Sequence, residues 1–331
     1  MNSLVNIHLR DARPVKELVV ISGKGGTGKT SLVASFATLA NNAVLADCDV
    51  DAADLHLLTA PRVVRSEPFT GGKRARIDTA LCAACGVCKD LCRFGAIRSH
   101  ASSGNGATPK YEIDPRACEG CSVCAWFCPS QAIQLQPAVN GEWFVSDTRF
   151  GPMVHAQLGA AEENSGKLVT LVRTTAKRIA EERWLDLVIV DGSPGIGCPV
   201  IASITGAEMV LVVSEPTPSG LHDMERVAEL VQHFRIPAAI CINKWDLNAG
   251  MSSVIEDRAR KRKMALAGRV RYDRMVTKAQ LEGMTAVEYS QEGSSSDIRQ
   301  VWKTVRHLLS GSTSNFETQL CTEGFSAERR T

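Results

Sequence analysis

Two runs of cysteine define the first chemistry this chain can do. Cys82, Cys85, Cys88 and Cys92 follow the spacing C-x2-C-x2-C-x3-C, and Cys118, Cys121, Cys124 and Cys128 repeat it. Thiolates at this spacing hold iron–sulfur clusters, whereas zinc sites come as separated C-x2-C pairs. A second chemistry lies upstream. The stretch "GKGGTGKT", residues 23–30, fits G-x-x-x-x-G-K-S/T between an apolar run and a helical one. Backbone N–H groups from Gly25 to Thr30 can cradle phosphates there, with Gly23, Gly26, Thr27, Gly28 and Ser31 completing the loop. Lys29 reaches the β- and γ-phosphates, and the Thr30 hydroxyl coordinates Mg²⁺. Asp191, at the end of the apolar "VIVDGSPG", takes the position that holds Mg²⁺ through water, and Gly195 supplies a turn able to sense the γ-phosphate.

The elements that must position these groups follow from periodicity. Apolar runs at 17–22, 42–50, 185–195, 207–216 and 237–246 read as buried strands. Helical spacing separates several of them, at 167–182, 219–234, 251–264 and 297–309. In the last, Ile298, Val301, Trp302, Val305 and Leu308 share one face. Strands alternating with helices predict an α/β fold: a mostly parallel sheet with helices on both faces. Residues 62–145 break that rhythm. "RIDTALCAACGVCKDLCRFGAI" (76–97) aligns with "EIDPRACEGCSVCAWFCPSQAI" (112–133) at a constant offset of 36 residues, so the segment reads as an inserted small α+β domain. The expected domains are an extension over 1–15, a core over 16–61 and 146–310, the insert over 62–145, and a tail over 311–331. Both ends are expected to be loose.

The doubled cysteine run resembles a two-cluster bacterial ferredoxin. In that pattern the fourth cysteine of each run ligates the other cluster. The resemblance implies two 4Fe–4S clusters, one on Cys82, Cys85, Cys88 and Cys128, the other on Cys118, Cys121, Cys124 and Cys92. The second run ends "CPS" as ferredoxins do. The first ends "CRF", so Arg93 places a cation where proline is expected.

The phosphate loop resembles the deviant Walker-A ATPases of the MinD/ParA and nitrogenase-iron-protein superfamily. The likeness lies in Lys24, which in that family reaches across a dimer to the partner's nucleotide. "LADCDVDAAD" is similar to the family's D-x-D switch. It implies that Asp49 positions the attacking water, with Asp47 and Asp51 as alternatives in metal-second-shell or structural roles. Cys198 stands seven residues after Asp191. The nitrogenase iron protein has a cluster-bridging cysteine at that spacing, so Cys198 is either a bridging ligand or a small buried residue. Cys48, Cys241 and Cys321 read as structural or exposed thiols. "NKWD" (243–246) has two readings. Asn243 can meet the base of ATP, or the motif can act as the guanine-selecting N-K-x-D, with Asp246 facing guanine.

With insert and core together, the chain resembles MinD-superfamily ATPases that contain an inserted ferredoxin domain. That implies ATP, Mg²⁺ and two 4Fe–4S clusters, and a homodimer or a heterodimer with a homologous ferredoxin-containing ATPase. The expected activity is ATP hydrolysis coupled to electron transfer to a redox partner protein. The alternatives are an iron–sulfur cluster carrier or maturation ATPase, and a positioning or regulatory ATPase with redox sensing. The insert begins about ten residues after Asp49, which puts it where nucleotide-driven movement can reach it.

Composition is consistent with this. The 331 residues are 44% hydrophobic and 22% charged, enough for a core, and the net charge of +2 predicts no nucleic-acid partner. No run approaches the ~20 apolar residues that span a bilayer, no secretory leader is apparent, and the tail has no apolar stripe. Direct membrane insertion is therefore not expected. Twelve cysteines without an export signal point to the cytoplasm and to metal ligation rather than disulfides.

Overall fold

A computed structural model describes residues 14–100, 109–159 and 166–311. The chain opens with β1 (Lys16–Ser22), α1 (Lys29–Ala40), β2 (Ala43–Asp47) and α2 (Leu55–Thr59). The middle comprises β3 (Arg62–Ile77), α3 (Val87–Leu91), β4 (Ile97–His100), β5 (Lys110–Ile113), α4 (Val123–Trp126), β6 (Ile133–Thr148) and β7 (Gly151–Leu158). Then follow α5 (Lys167–Glu182), β8 (Leu187–Asp191), α6 (Cys198–Ile204), β9 (Met209–Ser214), α7 (Pro218–His233) and β10 (Ala238–Asn243). The chain closes with α8 (Ala249–Lys261), β11 (Ala265–Val270), α9 (Arg274–Leu281), α10 (Ala286–Tyr289) and α11 (Ser294–Ser310). The segments expected to be loose lie outside the described residues, apart from Pro14, Val15 and Gly311, and so does Cys321.

Nine strands form one sheet in the order β11-β10-β9-β1-β8-β2-β7-β6-β3. From β11 to β7 every pair is parallel. β6 and β7 are joined by only Arg149 and Phe150, too few for a crossover, so that pair is antiparallel. The parallel strands are mostly apolar in their middles because helices cover both faces. β2, β8 and β9 are buried at every residue. β1 lies between β8 and β9, at a point where successive strands are laid to opposite sides. The carboxyl ends of such strands open a crevice for ligands.

By contact, the chain divides into two compact units. The first is Met1–Ser66, Trp143–Gln157 and Asn164–Thr331, and holds the core around Phe36, Leu45, Ile189 and Leu211. The apolar face expected on the last helix is buried in full, with the Trp302 ring stacked on Phe36 at 5.0 Å between centroids. The second unit is Glu67–Glu142 and Leu158–Glu163. Its core is small: Ala75, Cys88, Ile97 and Ile133, with Ile77, Tyr111 and Ile113 packed on them. Ile97 faces Ile113 across the antiparallel β4–β5 pair, so residues matched by the repeat also meet in space.

Several elements depart from the sequence expectation. The insert breaks the strand–helix rhythm and lacks long helical periodicity, and two strands of 16 residues each, β3 and β6, run through it that no sequence signal marked. Most of β3 is exposed, so no apolar alternation marks it. β11 is six residues with Gly268 inside it, and α9 and α10 are short; none has the length that periodicity needs.

His155 on β7 stacks on Phe144, and its Nε2 lies 2.9 Å from the Ser146 hydroxyl. Burial, helped by His56, pushes its pKa down to about 4. A histidine depressed in the fold contributes stability that is present above pH 6.5 and lost as pH falls toward 4. The limit is about 3 kcal/mol. Denaturation midpoints measured from pH 7 to 4.5 are expected to fall more steeply for the wild type than for His155→Gln.

Candidate functional site

β1 delivers the chain into the phosphate loop, and α1 leaves it with Lys29 as its first residue. The turn needs glycine at residue 28. Its φ is +84°, and a Cβ there would stand 2.4 Å from the Asn243 amide nitrogen. α1 has no acidic residue in its first turn and no side-chain cap, so its N-terminal N–H groups stay available for an anion. They face a cavity of about 590 Å³ bordered by Gly25–Leu32, Asp49, Asp51, Ser193, Pro194, Asn243, Lys244 and Tyr272. That size suits a nucleotide.

The charged centre is Lys29. It is buried, pairs with Asp191, and has its Nζ 3.3 Å from Asp49 Oδ2. Burial pushes its pKa down, but the charges of Asp191, Asp49 and Asp47 outweigh that and hold it above the usual value. Burial lifts the carboxyls of Asp47 and Asp49 above their ordinary range, and the Asp191 charge adds to this. Asp191 Oδ2 is buried without a hydrogen-bond partner. An orphaned carboxylate oxygen beside the phosphate loop fits a hydrated Mg²⁺.

The three switch acids separate into roles. Asp47 is fully buried and accepts from the N–H groups of Asp49 and Leu55, so it braces the turn. Asp49 borders the cavity, and so does the exposed Asp51. Ser193, which motif reading passed over, donates to the Cys48 carbonyl at 2.7 Å and ties the two switch loops together. Gly195 has φ +94° and donates its N–H to the Ser22 carbonyl at 2.9 Å.

Other expected residues sit differently. Gly23 and Lys24 do not border the cavity. Lys24 Nζ turns to Ser219 Oγ at 3.3 Å and Glu215 Oε2 at 3.5 Å. Asn243 borders the cavity, but its amide is spent within the protein. Nδ2 donates to the Thr27 carbonyl at 2.7 Å, and Oδ1 accepts from Lys244 N–H at 3.0 Å. The bond to Thr27 ties the end of β10 to the phosphate loop. Asp246 does not border the cavity, and it accepts the N–H of Tyr272, which does, at 2.6 Å. The Arg271–Asp273 wall went unnoticed in the sequence because it follows the unrecognised β11.

The cysteines of the second unit form two quartets. Cys82, Cys85, Cys88 and Cys128 line one cavity, and Cys92, Cys118, Cys121 and Cys124 line another. The last cysteine of each run thus faces the other run's cavity. Backbone comes close here: a Cβ on Gly120 would stand 2.0 Å from the Lys73 carbonyl oxygen. All eight thiols are free of disulfides, and Cys85 and Cys121 are exposed. Burial raises the Cys88 and Cys124 thiols. Burial also pushes Cys128 upward, but the Ser130 hydroxyl and the N–H groups of Ala132, Ser130 and Gln131 outweigh it and hold this thiol below its usual value. Among the described residues, no three His, Cys, Asp or Glu converge as they would on a single metal ion. Arg93 is exposed, with its guanidinium 5.4 Å from the Phe94 ring centre.

Cys198 corrects one expectation. It is exposed at the start of α6, where a small buried residue was the favoured reading. Cys48 and Cys241 are buried, and burial pushes Cys241 up to about 12. Among the described residues no helix is long and apolar enough to cross a membrane.

A family profile, the CobQ/CobB/MinD/ParA nucleotide binding domain, matches residues 18–287. Two uncharacterised proteins of Methanocaldococcus jannaschii are relatives. One is 32% identical over 71% of this chain and 80% of its own, the other 25% identical over 82% and 92%. Among solved structures, MinD in the MinC:MinD cell division complex of Aquifex aeolicus aligns with TM-score 0.53 and 18% identity, over 90% of this chain and 97% of that one. The Pyrococcus furiosus cell division ATPase MinD aligns with TM-score 0.52 and 16% identity, over 88% and 99%. At such identities the likeness is one of fold.

Removing Lys29 leaves buried carboxylates without their cation. Lys29→Met is expected to cost about 3–5 kcal/mol of stability in the nucleotide-free chain. Acids whose folded pKa is raised lose stability as pH rises through their unfolded value. The deficit, measured by denaturant titration, is therefore smallest near pH 4 and grows toward pH 7.

Proposed function

The chain belongs to the CobQ/CobB/MinD/ParA nucleotide-binding family, and on that premise we propose that it is a Mg²⁺-dependent ATPase whose second unit carries electrons for a redox partner. The observation that carries the second half is the sorting of eight thiols into two quartets, each around its own cavity. A four-iron cluster takes one thiolate per iron, so its ligands surround a space instead of converging on an atom. The donor set therefore fits. Cys82, Cys85, Cys88 and Cys128 would hold one cluster, and Cys118, Cys121, Cys124 and Cys92 the other. Clusters so held supply one-electron chemistry at low potential.

On the nucleotide side, Lys29 and the N-terminal amides of α1 bind the phosphates. Thr30 and the orphaned oxygen of Asp191 serve Mg²⁺, and Asp49 orients the attacking water. Lys24, half-buried and held by Glu215 and Ser219, is available to a second subunit's nucleotide. The dimer is a homodimer or a pair with a homologous chain. ATP is favoured over GTP because Asp246, the guanine-selecting position of N-K-x-D, does not border the cavity and accepts the Tyr272 N–H.

The likeness in fold to MinD supports a second reading, a positioning ATPase that senses redox state. Iron content and electron transfer separate the two. Anaerobically isolated protein is expected to contain about eight iron atoms. Stoichiometric zinc, or no iron after anaerobic reconstitution, overturns the electron-carrying half. Lys29→Met and Asp49→Ala are expected to abolish ATP turnover and leave the iron count unchanged.

The base preference has its own check. In competition assays GTP is expected to displace ATP poorly, and Asp246→Asn to leave that preference as it was. A change in preference on that substitution restores the guanine reading.

A further inference from the structure

The two cysteine cavities come from one repeat, yet they are not alike. The 36-residue offset matches Ser130 to Phe94 and Tyr111 to Ala75. These pairs occupy corresponding places. Tyr111 and Ser130 line the cavity of Cys82, Cys85, Cys88 and Cys128, and Ala75 and Phe94 line the other. The first cavity therefore has two hydroxyl-bearing side chains where the second has a methyl and a phenyl group.

The difference reaches the ligand atoms. Cys128 Sγ lies 3.6 Å from the Ser130 hydroxyl and accepts the Ala132 N–H at 3.3 Å. Its counterpart in the repeat is Cys92. Among the described residues no hydrogen bond reaches the Cys92 sulfur. In the second cavity the Ala75 N–H reaches Cys118 Sγ at 3.5 Å, and the Ala125 N–H serves Cys124 as the Lys89 N–H serves Cys88 in the first. Reduction adds negative charge to an iron–sulfur centre and its thiolates. Donors aimed at sulfur stabilise that charge, and an aromatic wall does not. Arg93 acts in the opposite sense, as a cation next to Cys92. It is exposed, however, and solvent and salt screen it more than they screen a donor in contact with sulfur.

We propose that the two sites are electronically unequal, that the site of Cys82, Cys85, Cys88 and Cys128 has the higher reduction potential, and that Ser130 raises it through its hydrogen bond to Cys128. The proposal rests on the cluster-binding reading above. Ser130 is a tuning residue and not a ligand, and Phe94 is its counterpart in the low-potential site.

The test uses the full chain, isolated anaerobically. Iron and sulfide are counted, and the protein is titrated with dithionite while its EPR spectrum is followed. The wild type is expected to reduce in two resolved one-electron waves. Ser130→Ala is expected to lower the upper wave by about tenfold in equilibrium constant, ~59 mV for a one-electron couple, and to leave the lower wave in place. Phe94→Ser, the reciprocal change, raises the lower wave and narrows the gap. The proposal fails if Ser130→Ala keeps the wild-type iron content and moves neither wave, or moves the lower one. It also fails if the wild type shows a single unresolved wave. Should Ser130→Ala lose iron, Phe94→Ser decides by whether the lower wave rises. Wild-type protein without iron overturns the cluster-binding reading itself, which is a different result.

Discussion

One buried lysine holds this nucleotide fold together. Lys29 stands at the start of α1 among the carboxyl ends of β1, β2 and β8, where three aspartates, Asp47, Asp49 and Asp191, are brought out of water. Parallel strands make this unavoidable: all their carboxyl ends lie on one edge, and the loops leaving that edge carry the polar groups. A single cation offsets much of their repulsion. Asp47 and Asp49 still have carboxyls lifted above the ordinary range, so the centre is under-neutralised. A divalent cation with a polyphosphate meets both needs. A bound metal would supply positive charge beside Asp191, and phosphates would engage Lys29. This charge centre is thus electrostatically poised to change partners when nucleotide enters.

What was legible in the sequence depended on how local the signal was. The phosphate loop and the cysteine runs are contiguous motifs, and every residue of the quartets could be numbered beforehand. Buried strands such as β8 and β9 announced themselves as apolar runs because both of their faces are covered. β3 did not, because most of its side chains meet solvent and no alternation survives. Missing β11 had a further cost, since the Arg271–Asp273 wall of the nucleotide cavity follows it. Side-chain direction was also beyond reach. Asn243 and Asp246 belong to a motif with two meanings, and only their hydrogen bonds, to Thr27 and Tyr272, tell where they point. Cys198 was misjudged for a similar reason: its neighbours are small and apolar, yet α6 starts at the surface.

The chain also shows how one sequence repeat can yield two different environments. The alignment between the halves is close at cysteine and isoleucine, which build the frame. It diverges at residues that line the cavities, Ser130 against Phe94 and Tyr111 against Ala75. Frame residues answer to packing, and matched residues such as Ile97 and Ile113 meet in the shared core. Wall residues answer to the charge a cavity must tolerate, and nothing in the packing forces those to match.

The exchange of the fourth cysteine has a consequence for how such a unit can change over generations. Each cavity takes three walls from its own half and one from the other. Deleting either half would remove three thiols from one cavity and leave the survivor one short. A chain built this way cannot shed one site and keep the other intact by simple truncation. The two sites are inherited together, while their walls remain free to diverge residue by residue.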